Sequence, residues 1–182
     1  MKRHVLVTLD GSPLSETVLP IVAEQFAGDE TVVTLLAVAE VPGATAAGPA
    51  SSVQPHVYLG SSRPAVRLAA EERRYAETKS QALERTEHEL KGYLEGRART
   101  LRERGIEVRT AVLFGDAKEV ITEFAGRPGV DLVAMATHGH TGLAALIFGS
   151  VAGRVVYSGV RPVMLVRPKE GAKGWRAEAS AG

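Results

Sequence analysis

No cysteine occurs among the 182 residues, and that one absence removes disulfides, zinc–thiolate centres and thiol chemistry together. An excess of charge is missing too: 22 basic against 21 acidic residues leave +1, so no global field draws the chain to nucleic acid or anionic lipid. Long apolar runs are absent. Lys2 and Arg3 precede only Val5 to Leu9 before Asp10 interrupts, too short for a signal peptide or a membrane span. The expectation is a cytoplasmic protein that needs no membrane. Several signatures also fail. Gly43 to Gly48 has the glycine spacing of a Walker loop, but Pro49 and Ala50 stand where Lys and Ser or Thr are required, and neither G-x-G-x-x-G nor G-x-S-x-G occurs. His138 and His140 lack a nearby third ligand, which argues against a metal site. Nothing pairs a nucleophile with a base, so an enzyme is not expected, and slow hydrolysis of a bound ligand would need a water-activating base the sequence does not show.

What is present is the balance of a globular domain, with 45% hydrophobic and 24% charged residues. The length suits one domain with a full core. Apolar runs at Val5 to Leu9, Val32 to Val38, Val108 to Leu113, Val130 to Met135 and Val163 to Val166 lack strict alternation, as strands covered on both faces do. Helical patterns lie between them. Pro13 to Phe26 opens with Ser12 and with Pro13 at a first helical position, and Pro20 inside it predicts a bend. Asp116 to Ala125 carries Val120, Ile121 and Phe124 on one face, with Asp116 as cap. Val66 to Arg104 is the longest: Leu83, Leu90, Leu94 and Leu101 make one stripe, and Glu87 with Lys91 and Glu95 with Arg99 are i,i+4 pairs. Gly92 and Gly96 either weaken this helix or let it lie close on the sheet. At that length its N-terminal part projects beyond the sheet or breaks away. Alternating strands and helices imply right-handed crossovers and a parallel sheet. The connection from Pro42 to Pro64, rich in Pro, Gly and Ser, reads as a lid or a disordered arm, and Gly171 to Gly182 as a flexible tail.

The most informative stretch follows the fourth run. Met135-Ala136-Thr137-His138-Gly139-His140-Thr141-Gly142 leads to Phe148-Gly149-Ser150-Val151, where a helix opens. A strand, a glycine-bearing loop and a helix N-terminus are the parts of phosphate sites, because small residues admit the oxygens and unpaired amides favour an anion. The competing reading is a loop whose glycines only permit tight turns.

With His4 to Ser12 at the start and Arg161-Pro162-Val163-Met164-Leu165-Val166 at the end, this pattern resembles the universal stress proteins over about residues 2 to 168. That family's nucleotide motif is a glycine, two residues, a glycine, nine residues, then glycine followed by Ser or Thr. Here Ala136 holds the first position, Gly139 the second, and Gly149-Ser150 the last. The resemblance implies a single-domain α/β fold, flavodoxin-like or adenine nucleotide alpha hydrolase-like. It consists of an open parallel five-stranded sheet of order 3-2-1-4-5 with helices on both faces, occupying residues 1–168, with 169–182 as tail. It also implies a crevice between the first and fourth strands that holds ATP, with Mg2+ as counter-ion.

The binding residues the resemblance implies are Leu9, Asp10 and Gly11 after the first strand, Val38 and Ala39 ending the second, Met135 and Ala136 ending the fourth, Gly139 in the loop, and Gly149, Ser150, Val151 and Ala152 opening the last helix. Asp10 suits the ribose or base, since a carboxylate repels a triphosphate. Val38 or Ala39 would meet adenine through the backbone. Asp10 and Ser150 could equally be helix caps, and Met135 a core residue. Ala at position 136 is tolerated if φ stays negative and weakens binding if φ must be positive. Stress response or signalling and a homodimer paired through the edge strand Val163 to Val166 are further expectations, and the alternative is a dimeric interaction scaffold of the same fold that does not bind nucleotide.

Overall fold

The computed structural model describes residues 2–28, 30–41, 64–137 and 149–167, with the backbone alone for 64–77. The Pro42–Pro64 connection up to residue 63, the loop with His138, Gly139 and His140, and the C-terminal tail lie outside the described residues. Strand β1 is Arg3–Thr8, β2 Thr31–Ala39, β3 Glu107–Phe114, β4 Leu132–Ala136 and β5 Val163–Val166. Helix α1 is Val18–Gln25, α2 Pro64–Arg102, α3 Ala117–Gly126 and α4 Ser150–Ser158. All strand pairs are parallel, in the order β3-β2-β1-β4-β5. This is the expected five-stranded α/β fold of order 3-2-1-4-5 with helices on both faces.

Both faces are covered, which is why the strand segments read as continuous apolar runs. Side chains alternate along each strand. Val5, Val7, Val33 and Leu35 therefore meet α1 and α2 through Leu19, Val22, Leu94 and Leu101. Leu6, Leu36, Val133 and Met135 meet α3 and α4 through Ile121, Ala125, Ala152 and Val155. Each fully buried aliphatic side chain contributes about 1.5–3 kcal/mol.

Several local expectations change. Val130 is buried but precedes β4, because Asp131 turns the chain there: its N–H donates to the His4 carbonyl at 2.9 Å, and its carboxylate accepts the His4 N–H at 2.8 Å. The helix expected from Pro13 begins at Val18, after a 3-10 turn over Ser15–Thr17. Pro20 is the third residue of α1, where its missing N–H is needed by no earlier turn of α-helix. Asp116 caps α3 as expected, accepting from the amides of Lys118 and Glu119. In α2, which is continuous, Leu94 and Leu101 are fully buried and Leu90 is half-buried. Glu87 pairs with Lys91. Glu95 instead reaches Arg102 at 2.8 Å and the Thr110 hydroxyl at 2.8 Å, tying α2 to β3 in place of the expected Arg99 pair. Gly92 and Gly96 are exposed, and a Cβ on either would meet nothing within 4 Å, so neither serves a close approach to the sheet.

One ion pair is sunk into the α1/α2 side. Glu16, 5% exposed, accepts from Arg97 Nη2 at 2.7 Å and Nε at 2.9 Å. The guanidinium also lies 5.5 Å from the centre of the Tyr93 ring. This pair fastens the segment after β1 to α2.

Candidate functional site

Order reversal puts β1 and β4 side by side while their following segments diverge, α1 to one face and α4 to the other. A gap opens beyond the carboxyl ends at such a switch point. A crevice of about 380 Å³ occupies it, within the range of small-molecule sites. Five segments wall it. Thr8, Leu9, Asp10, Leu14 and Ser15 come from the end of β1 and the turn after it. Leu36 and Val38 come from β2, and Ala117 and Ile121 from α3. Met135, Ala136 and Thr137 end β4, and Gly149, Ser150, Val151 and Ala152 open α4.

Of the residues expected here, Leu9, Asp10, Val38, Met135, Ala136, Gly149, Ser150, Val151 and Ala152 thus come together around one space. Gly139 lies outside the described residues. Gly11 does not line the crevice; it has φ +81°, a conformation that favours glycine, and shapes the turn instead. Ala39 is not a lining residue either. Successive residues of a strand turn their N–H and C=O to opposite neighbours, and the Ala39 carbonyl is taken by the Gly115 N–H at 2.9 Å. The Leu36 carbonyl faces β1, accepting from Leu9 N–H at 2.9 Å. Val38 faces the same way but lies beyond the last paired residues, Thr8 and Leu36, so its amide and carbonyl look into the crevice.

Asp10 is exposed at the rim. Its Oδ1 accepts the Ser12 N–H at 2.9 Å, and its own N–H donates to the Ser15 hydroxyl at 3.3 Å. Withdrawal from solvent opposes the charge, but hydrogen bonds from Ser12 and Ser15 outweigh it and hold the carboxyl below its usual value. Asp10 is therefore an anion at neutral pH, and it organises a turn; it does not cap α1, which carries no side-chain cap.

Across the gap, Gly149 is the N-cap residue of α4 and no described side chain caps that helix. Ser150 is thus the first helical residue, not the cap. The first intrahelical amide to find a carbonyl is that of Gly153, bonded to Gly149 O at 2.8 Å. The amides before it make this end an anion-seeking pole of about half a charge. Ala136 is a strand residue paired with Val166, so its backbone is extended and the methyl brings no φ strain.

Ser15, Leu14, Leu36, Ala117, Ile121, Thr8 and Thr137 were not expected in the site. Ala117 and Ile121 were detectable as an i,i+4 pair on the apolar stripe of α3. Thr137 differs: its hydroxyl is buried and has no hydrogen-bond partner among the described residues. No cluster of three or more metal-ligating side chains is found among the described residues, and no described helix is long and apolar enough to cross a membrane.

The model of the Universal stress protein family matches residues 1–167. Universal stress protein MJ0531 of Methanocaldococcus jannaschii is 40% identical over 67 residues, 36% of this chain and 39% of that protein. Universal stress protein MJ0577 of the same organism is 32% identical over 81 residues, 44% of this chain and 50% of that protein. The matched stretches therefore span half or less of these two relatives. Among solved structures, that of MJ0577 superimposes with a TM-score of 0.66 at 23% identity, covering 94% of this chain and 99% of the other. A universal stress protein UspA from Lactobacillus plantarum gives 0.60 at 17%, covering 91% and 97%. A family protein of Arabidopsis thaliana, solved with AMP bound, gives 0.53 at 18%, covering 92% and 93%.

Proposed function

The chain belongs to the universal stress protein family, and from that premise we propose that its crevice binds an adenine nucleotide, with ATP and Mg2+ the fullest form of the ligand. The observation that carries this reading is the opposition of an uncapped helix N-terminus and an ionised carboxylate across one small-molecule-sized gap. Phosphate belongs at the first, and a hydroxyl or amine donor of ribose or base at the second. The free amide and carbonyl of Val38 supply the paired donor and acceptor that an adenine edge needs, and Met135, 5% exposed, gives the base an apolar floor. AMP in the Arabidopsis relative is consistent with the ligand class. We read the role as binding without turnover, in stress response or signalling inside the cytoplasm. Calorimetry with ATP, ADP and AMP should give saturable heats that Gly139→Val diminishes without changing the circular dichroism. An absence of heat and of any thermal shift at millimolar nucleotide would remove the reading.

A second element concerns assembly. β5 ends the described sheet, and Val163, Met164, Leu165 and Val166 are only partly buried there. An apolar edge strand invites pairing, and its twin in a second copy would close it symmetrically. Light scattering should report a dimer, and Leu165→Lys should give monomer or insoluble protein. A wild-type monomer at high micromolar concentration contradicts this interface.

A further inference from the structure

We propose that the crevice prefers a nucleoside monophosphate to the triphosphate, with the Thr137 hydroxyl donating to the single phosphate. This rests on the adenine-nucleotide reading and narrows it.

Charge in and around the crevice is the first argument. Of its described lining residues only Asp10 is ionised, and it is an anion. Between Asp131 and Arg154 the sequence contains no Lys, Arg, Asp or Glu, so the loop joining β4 to α4 brings no permanent cation to the phosphate end. Its ionisable side chains are His138 and His140. The cations nearest along the lining elements, Lys118 on α3 and Arg154 on α4, are exposed and do not line the crevice. Among the described residues the attraction for phosphate therefore comes from the first turn of α4, about half a charge, and from neutral hydroxyls. A phosphate monoester brings about two negative charges near neutral pH, and a triphosphate roughly twice that. The surplus would find no counter-charge on these walls, and Asp10 would repel it.

The hydroxyl is the second argument. Thr137 N–H donates to Val166 O at 3.0 Å, so its backbone is fixed as β4 ends. Alternation from Met135 directs its side chain to the α3/α4 face, where it lines the crevice. There its Oγ1 is buried without a partner among the described residues. A buried hydroxyl left unsatisfied is costly, and a ligand oxygen arriving at the first turn of α4 would complete it. Ser150, exposed at the start of that turn, offers a second hydroxyl to the same oxygen group. Thr137, Ser150 and the first turn of α4 line the same crevice, and together they form the proposed subsite for a single phosphate.

The test is calorimetry of the full chain with adenosine, AMP and ATP in metal-free buffer. AMP should bind at least about tenfold more tightly than ATP, and Mg2+ should narrow that ratio by neutralising the extra phosphates. Thr137→Val should lower AMP affinity about tenfold, lower that of adenosine far less, and leave the melting temperature equal or higher because an unsatisfied hydroxyl is gone; Thr137→Ser should restore AMP binding. Ala117→Lys, which places a cation on the rim, should raise ATP affinity relative to AMP. ATP binding as tightly as AMP without metal would overturn the preference while leaving the adenine reading intact. Adenosine binding as tightly as AMP would overturn the phosphate subsite. If no adenine compound binds, both readings fall.

Discussion

The two faces of the sheet are built to different standards of closure. Under α1 and α2 the large side chains Leu19, Leu35, Leu94 and Leu101 and the valines at 5, 7, 18, 22 and 33 have essentially no exposure. Of the large side chains described under α3 and α4, Leu6, Leu36 and Val133 reach that level. The difference follows from the helices. α2 has 39 residues and packs against β3 and β2, whereas α3 and α4 have 10 and 9. Two short helices that begin at the crevice present their N-termini to it, and backbone amides take up less space than side chains would. Among the described residues, the crevice thus opens at one end of the α3/α4 face, while the opposite face holds the larger cluster of fully buried side chains.

Truncation in the two faces should break this contrast most visibly. Leu94→Ala, in the sealed face, should cost about 3–5 kcal/mol in denaturant unfolding, because the void is enclosed. Met135→Ala should cost about 1–2 kcal/mol, because the vacated space joins the crevice and fills with water, and it should weaken nucleotide binding as well. Equal losses at the two positions would erase the distinction.

The polar inclusion in the sealed face gives a pH signature. Burial, and next the Glu16 charge, push the Tyr93 hydroxyl up to about 12 from 10.0. A raised folded value means the contribution is complete below pH 10.0 and disappears as pH climbs through about 12. Stability should fall over that alkaline window by about 1–2 kcal/mol, after allowance for screening at a half-buried ring. Tyr93→Phe should flatten the decline. An unchanged slope in that variant would show that other groups govern alkaline unfolding.

Backbone substitutions sharpen the comparison at the smallest scale. Gly96→Ala on the solvent side of α2 should raise stability by about 0.5–1 kcal/mol, since a methyl there meets nothing. Gly11→Ala at the crevice mouth should lower it by a similar amount, because φ is +81°. Thermal melts of the two variants should shift in opposite directions.

Much of this was legible in the chain. The five apolar runs, the capping Asp116 and the stripe Leu90, Leu94, Leu101 identified strands and helices because burial imposes periodicity. The glycine spacing from Gly139 to Gly149-Ser150 located the segment that opens α4. Strand order came through family resemblance, not from periodicity. Errors arose where competing local signals were equal. Ser12-Pro13 is a sound helix start by propensity, yet Ser12, Ser15 and Asp10 close a hydrogen-bonded turn first and delay α1 to Val18. Glu95 has Arg99 at favourable helical spacing, yet β3 places Thr110 within reach and Arg102 completes the other side.

By itself the sequence determined the fold class, the absence of thiol chemistry, the balance of charge and the uncharged stretch from Leu132 to Gly153, since all of these depend on residue type and order along one dimension. Only the tertiary structure decided that Val38 and not Ala39 turns its backbone to the crevice, that Ala136 stays extended, that Gly11 shapes a turn outside the lining, and that the Thr137 hydroxyl is buried without a partner among the described residues. Those facts depend on which strand ends first beside its neighbour and on which face a side chain falls, and register between distant segments settles both.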